Sequence, residues 1–181
     1  MKKLSKITFI FLTITLLFPI KNFCQNTEHE TVSNDQLIKA ARDIIASTTT
    51  CALITMKDSI PMVRVMDPFP PENDFTVWFG TNPKSRKVNQ IKKNPKVTLY
   101  YLDKDASGYV VIHGIAQLVN DQTEKEKRWK DTWKAFYPDK TESYLLIKVS
   151  PEWMEVISYK HGIVGDTNTW QPPIVEFDSM D

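Results

Sequence analysis

The sequence predicts a mainly β fold, a mostly antiparallel barrel with peripheral helices. Two observations carry this expectation. Strand-like runs, about six or seven of them, follow one another as hairpin-like pairs bounded by turn residues. About three helical patterns are inserted between those pairs. There is no internal repeat, and 181 residues are enough for one domain with its own core.

Asn34 and Asp35 open the first helix, whose apolar face is Leu37, Ile38, Ala41, Ile44 and Ile45. Cys51–Met56 and Ile60–Met66 read as a hairpin around Lys57-Asp58-Ser59. Pro61 has no N–H for a ladder, so it belongs at the start of its strand or on a sheet edge. Asp67 to Asp74 is a proline-rich excursion. A strand over Phe75–Phe79 follows, and Asn82-Pro83 signals a helix that stops near Asn94-Pro95. Lys96–Tyr101 returns as a strand, and Gly108–Val119 is a long one with Gly114 as a bulge. A helix from Asp121 or Thr123 carries Trp129, Trp133 and Phe136 at a spacing that reads as core packing. Tyr144–Val149 and Trp153–Tyr159 are the last strands, and residues 166–181 show no period.

The N-terminus is read apart from the domain. Met1 to Lys6 is basic, and Ile7 to Ile20 is apolar but short for a bilayer span. Residues 1–24 form a signal peptide cut near Cys24 and Gln25, with residues 25–33 a disordered linker and residues 34–181 the domain. The protein is therefore expected outside the cytoplasm, periplasmic or secreted. The rival reading is a lipoprotein anchored at Cys24, which has Lys21, Asn22 and Phe23 where a lipobox uses small residues. Losing Lys2, Lys3, Lys6 and Lys21 takes the formal charge from +1 to −3. Cys51 then stands alone, so no internal disulfide forms and a buried, small hydrophobe is its expected role.

Against that mildly acidic background, the segment 83–96 carries Lys84, Arg86, Lys87, Lys92, Lys93 and Lys96 and no acid. Basic residues on a short helix usually form a solvated face. Here Ser85, Arg86 and Lys87 crowd the helix start, where cations oppose the helix dipole. A phosphate at that start would reconcile them, since free backbone N–H groups, a hydroxyl and two cations meet there. The remaining charge pattern gives no general nucleic-acid surface.

Other chemistries lack their signatures. His29, His113 and His161 have no ligand-like spacing, so no metal site is expected. There is no G-x-S-x-G, no Walker sequence and no G-x-G-x-x-G, so a nucleotide ligand is not held by a Rossmann unit.

The run Gly80-Thr81-Asn82-Pro83-Lys84-Ser85-Arg86-Lys87, then Gln90-Ile91, then Asn94-Pro95-Lys96-Val97-Thr98-Leu99, resembles the pyridoxamine 5′-phosphate oxidase family. Upstream, Arg64-Val65-Met66 is similar to its R-x-V strand. Downstream, Val110-Val111-Ile112-His113-Gly114 is similar to its V-x-I-x-G strand. The resemblance implies an FMN-binding split β-barrel that holds flavin mononucleotide across a homodimer interface. By position it implies that Arg64, Val65 and Met66 line the flavin, and that Gly80 and Thr81 contact the ring edge or ribityl chain. Arg86 and Lys87 would bind the phosphate, with Ser85 nearby. Tyr109 stands where the family usually has a flavin-contacting Gln.

The true oxidases carry a substrate-gripping Lys at a position that falls near Phe69 here, inside Asp67-Pro68-Phe69-Pro70-Pro71, and a C-terminal R-L-x-x-R pattern that is not found in this sequence. The resemblance is therefore to the general stress protein 26 group more than to the vitamin oxidases. Three functional readings follow. The first is an exported flavin-dependent oxidoreductase of unknown substrate, the second a non-catalytic flavin-binding or stress-related module, and the third a split barrel binding haem or a deazaflavin.

Overall fold

The computed structural model describes residues 32–178; the signal-peptide reading and most of the predicted linker lie outside them. The elements are α1 (Asn34–Ser47), β1 (Cys51–Lys57), β2 (Ile60–Met66), β3 (Val77–Thr81), α2 (Arg86–Lys93), β4 (Lys96–Leu102), β5 (Gly108–Val119), α3 (Gln122–Lys127), β6 (Leu145–Ser158) and β7 (Ile174–Glu176). Short 3-10 turns cover Asp131–Ala135 and Tyr159–His161.

The strands form one antiparallel sheet in the order β2-β1-β4-β5-β6-β3, with β7 added to β6. The long β6 makes this possible. One of its edges pairs with β5 throughout, and the other is shared by β3 at its start and β7 near its end. The sheet then curls back on itself. Just past β2, the Phe69 N–H donates to the Trp78 carbonyl at 2.8 Å, and Pro68 bridges Phe79. Pro61 lies in β2, at the end of the sheet, as its missing N–H requires.

Alternation sorts the side chains. Leu53, Leu99, Ile112, Ile147 and Val156 point into one core, and α1 closes it with Leu37, Ala40, Ala41 and Ile44. Ser33, not Asn34, caps α1 in a capping box with Gln36, and Val32 packs on the core. The linker reading thus fails at residues 32 and 33. Cys51 is buried, and burial pushes its thiol up to about 12. A second, aromatic cluster of Trp78, Trp133, Tyr144 and Leu146 sits on the other face of β3 and β6.

Four expectations are corrected. The third strand begins at Val77, because Phe75 has a φ of 63° and the Asp74 carboxylate caps the Thr76 N–H at 2.9 Å. The predicted helix that was to carry Trp129, Trp133 and Phe136 is not one helix. It breaks at Arg128, whose buried guanidinium lies over the Trp78 ring and pairs with Glu72 and Glu124. Of its three aromatics Trp133 is buried and Phe136 is exposed. The last two strands are one, since Pro151 pairs with Gly114 beside a β-bulge whose extra residue is Glu152 of β6, so the ladder is already interrupted there. The tail contributes β7.

Candidate functional site

The cavity that gathers the predicted cations lies between β2 and the start of α2, with a volume of about 460 Å³. Its walls are Met62, Val63, Arg64, Lys84, Ser85, Arg86, Lys87 and Gln90. These residues arrive there for local reasons. Asn82 starts no helix; its side chain accepts from the Lys84 N–H at 2.8 Å, and its carbonyl accepts from the Ser85 N–H at 3.0 Å. That turn delays the helix to Arg86 and makes Ser85 the N-cap.

Ser85 is an unusual cap because its side chain makes no cap hydrogen bond. Its hydroxyl instead sits 3.2 Å from the Thr81 hydroxyl, and Lys87 Nζ donates to Thr81 Oγ1 at 3.0 Å and to Ser85 Oγ at 3.4 Å. The first N–H groups of α2 are left without a side-chain acceptor, and its first turn holds no acid. Opposite, Arg64 reaches under the helix. It donates to the Leu53 carbonyl at 3.1 Å, Thr55 Oγ1 at 2.7 Å and Gln90 Oε1 at 2.9 Å. Thr55 in turn donates to Gln90 at 2.6 Å. The buried pair Thr55–Gln90 thus fixes the guanidinium through neutral oxygens alone.

The electrostatics follow. Among the described residues, none of Arg64, Lys84, Arg86 and Lys87 forms an ion pair. Burial, and then the Arg86 charge, hold Arg64 below the usual guanidinium range. Burial, and then the Arg64 charge, lower Lys87 in the same way. Cations that destabilise one another around a helix N-terminus leave a place for a multiply charged anion.

A comparison with known families matches residues 36–165 to the one described as pyridoxamine 5′-phosphate oxidase like. The chain belongs to that family. The fold of this pyridoxamine 5′-phosphate oxidase-like protein is a split β-barrel, as in solved structures that it resembles. General stress protein 26 from Bacillus anthracis str. Sterne is 24% identical, with a TM-score of 0.61 over 79% of this chain and 97% of that one. A pyridoxamine 5′-phosphate oxidase-related, FMN binding protein from Nostoc punctiforme is 12% identical, with a TM-score of 0.57 over 80% of this chain and 96% of that one. A heme binding protein from Mycobacterium smegmatis is 13% identical, with a TM-score of 0.56 over 70% of this chain and 55% of that one. Comparison with curated proteins finds no match.

Of the nine residues singled out from the sequence, the pyridoxamine 5′-phosphate oxidase-like fold gathers Arg64, Ser85, Arg86 and Lys87 at one cavity, with Thr81 bonded to two of them. Val65 lies on the outer face of β2, 73% exposed, and Met66 packs toward the core. Gly80 turns to the aromatic cluster, where a Cβ would meet Trp133 at 2.3 Å and Tyr144 at 2.7 Å. Tyr109 stacks with Tyr100 elsewhere on the sheet. Gln90 and Thr55 are site residues that sequence reading did not single out; Gln90 falls within the motif that carries the resemblance but is given no role by it, and Thr55 has no local signature. Among the described residues no His, Cys, Asp and Glu group could hold a metal ion. No described helix is long and apolar enough to cross a membrane.

Proposed function

We propose that the chain is an FMN-binding flavoprotein and works as an exported oxidoreductase of unknown substrate. The observation that carries the reading is the convergence of Arg64, Arg86 and Lys87, without a carboxylate, on an uncapped helix start. Arg86, Lys87 and Ser85 would hold the phosphate, and Arg64, braced by Thr55 and Gln90, would face it from β2. Val65 and Met66 would run along the flavin. The isoalloxazine supplies the redox chemistry when bound, and the chain supplies binding and orientation. The FMN-binding neighbour supports the reading.

A homodimer belongs to it. The outer face of the sheet carries Ala52, Ile54, Val63, Val65, Tyr100, Val111 and Trp153, and Val63 and Val65 are exposed within one chain. A second copy would cover that face and bring its own atoms close to β2. Export rests on the basic and apolar residues 1–24. The haem reading is weaker at this site, because neither an imidazole nor a thiolate lines the cavity. The deciding experiment is the spectrum and mass of whatever co-purifies with the protein. A flavin spectrum with released FMN is expected. A haem Soret band, or apoprotein that leaves FMN fluorescence unchanged, overturns the reading. Turnover after reduction by a nicotinamide cofactor separates an enzyme from a non-catalytic flavin module.

A further inference from the structure

A separate cavity of about 580 Å³ lies between the end of α1 and the proline-rich segment after β2, and it shares no lining residue with the phosphate cavity. Its volume falls within the range of about 300–1,000 Å³ usual for small-molecule sites. Ile45 and Ala46 form its α1 wall, and Pro68, Phe69, Pro70 and Pro71 form another. The fixed φ of three prolines makes that second wall rigid. Phe75 and Tyr101, both buried, close the cavity on the core side. Phe75 holds a φ of 63°, a strained conformation for a bulky residue, and its ring lies under the Arg42 guanidinium at 4.3 Å.

The polar groups of the lining are few. Its charged residues are Arg42, Asp67 and Lys130. Asp67 is already held by Lys130 at 2.5 Å and by Trp133 Nε1 at 3.1 Å. Arg42 donates to the Asn73 carbonyl at 2.7 Å but forms no ion pair among the described residues. The site therefore keeps one cation to spare. Thr48 and Thr49 are its neutral hydroxyls at the end of α1. Tyr101 is the deepest polar residue, 1% exposed, and its hydroxyl has no hydrogen-bond partner among the described residues. The Cys51 thiol stands beside it, and a thiol is a weak partner. Burial first, and then Cys51, hold that hydroxyl above the usual tyrosine range, so it stays a donor. A buried donor without an acceptor is costly, and a ligand oxygen would relieve it.

We infer that this cavity binds an aromatic carboxylic acid that carries a second oxygen at the end remote from its carboxylate. The carboxylate meets Arg42, the ring lies among Phe69, Phe75 and the prolines, and the remote oxygen accepts from Tyr101. A single spare cation among apolar walls disfavours a phosphate. An alkyl acid would fill the walls but leave the Tyr101 hydroxyl unpaired.

The test is calorimetric titration of the full chain, without flavin, with 4-hydroxycinnamate and three analogues. Cinnamate lacks the remote oxygen, 4-hydroxycinnamyl alcohol lacks the carboxylate, and decanoate lacks the ring. 4-Hydroxycinnamate is expected to bind about fivefold more tightly than cinnamate, the worth of one neutral hydrogen bond. It should bind about tenfold more tightly than the alcohol, the worth of one charge-assisted contact. Tyr101→Phe should erase the first difference without lowering the apo melting temperature, since the hydroxyl has no partner to lose. Arg42→Gln should erase the second. Ala46→Trp, at an exposed position in the last turn of α1, should plug the cavity and leave FMN titration unchanged. No binding of 4-hydroxycinnamate overturns the inference, as does cinnamate or decanoate binding equally well. So does a fivefold preference that survives Tyr101→Phe, or displacement of 4-hydroxycinnamate by saturating FMN. A chain that binds 4-hydroxycinnamate but not FMN overturns the flavin reading alone.

Discussion

Replacing Arg86 by alanine isolates the phosphate from everything else in the site. The side chain is exposed, makes no hydrogen bond or ion pair among the described residues and follows the cap of α2, so its removal leaves no buried group unpaired. Arg64 is unsuitable for this purpose, because it holds Thr55, Gln90 and a backbone carbonyl. A charge-assisted contact contributes about 1.5–3 kcal/mol, and solvent screening at an exposed position places Arg86 near the lower end. About 1.4 kcal/mol is tenfold in affinity, so FMN should bind the variant about tenfold more weakly. Riboflavin, which has no phosphate, should bind both proteins alike. The apo protein should not lose thermal stability, since the Arg86 charge opposes that of Arg64. Lys92→Ala, in the last turn of α2, is the control and should leave both ligands unchanged. Titration by flavin fluorescence and melting of the apo protein read these quantities. Equal losses in Arg86→Ala and Lys92→Ala would refute the reasoning and reduce the segment to a solvated basic face.

Val65→Asp should give a folded monomer by light scattering while the wild type runs as a dimer, because Val65 is 73% exposed within one chain; a wild-type monomer loaded with flavin would rule the interface out. Gly114→Ala should destabilise the fold by about 1–3 kcal/mol in denaturant melts, since a Cβ there would lie 2.2 Å from the Ser150 carbonyl oxygen, and an unchanged midpoint would contradict the bulge packing. Lys160, Ser47 and Ser107 hold the Asp103 carboxyl down to about 2, so it stabilises the fold above the unfolded carboxyl pKa of about 4 and loses that contribution as pH falls toward 2. Asp103→Asn should accordingly melt lower at neutral pH and flatten the stability profile over that acid window; a parallel profile would disprove the linkage. Intact mass of protein from its native compartment should begin near Gln25, and a full-length cytoplasmic species would dismiss export.

Features set by one residue's own geometry were legible. Pro61 marked the edge strand, Gly114 the place where β5 faces a bulge, though the extra residue is Glu152 of β6, and Asp58 the hairpin turn, because each follows from a missing N–H, a missing Cβ or a tolerated positive φ. What depended on a distant partner was not legible. Pro151 signals a strand break, and only its pairing with Gly114 lets β6 run on. The aromatic stripe predicted one helix, but the Arg128 guanidinium settles over Trp78, fifty positions away in sequence, and stops it. Likewise Gln90 and Thr55 reveal their role only when Arg64 arrives from another strand.

The helix start shows how the two kinds of information combine at the site. Asn82-Pro83 has the chemistry of a cap, and its asparagine does cap something: the turn that ends at Ser85. Had the helix begun at Pro83, Arg86 and Lys87 would be its fourth and fifth residues, just past the unpaired N–H groups of the first turn. Starting instead at Arg86, α2 puts both cations in the first turn, where the macrodipole opposes them. Ser85 could relieve the terminus by accepting from it, yet its hydroxyl is held by Thr81 and Lys87. Local stability is therefore conceded at three adjacent residues, and among the described residues no carboxylate pairs with them. An anion that offers several acceptor oxygens repairs all three at once, and the Arg86→Ala comparison of FMN with riboflavin measures that repair directly.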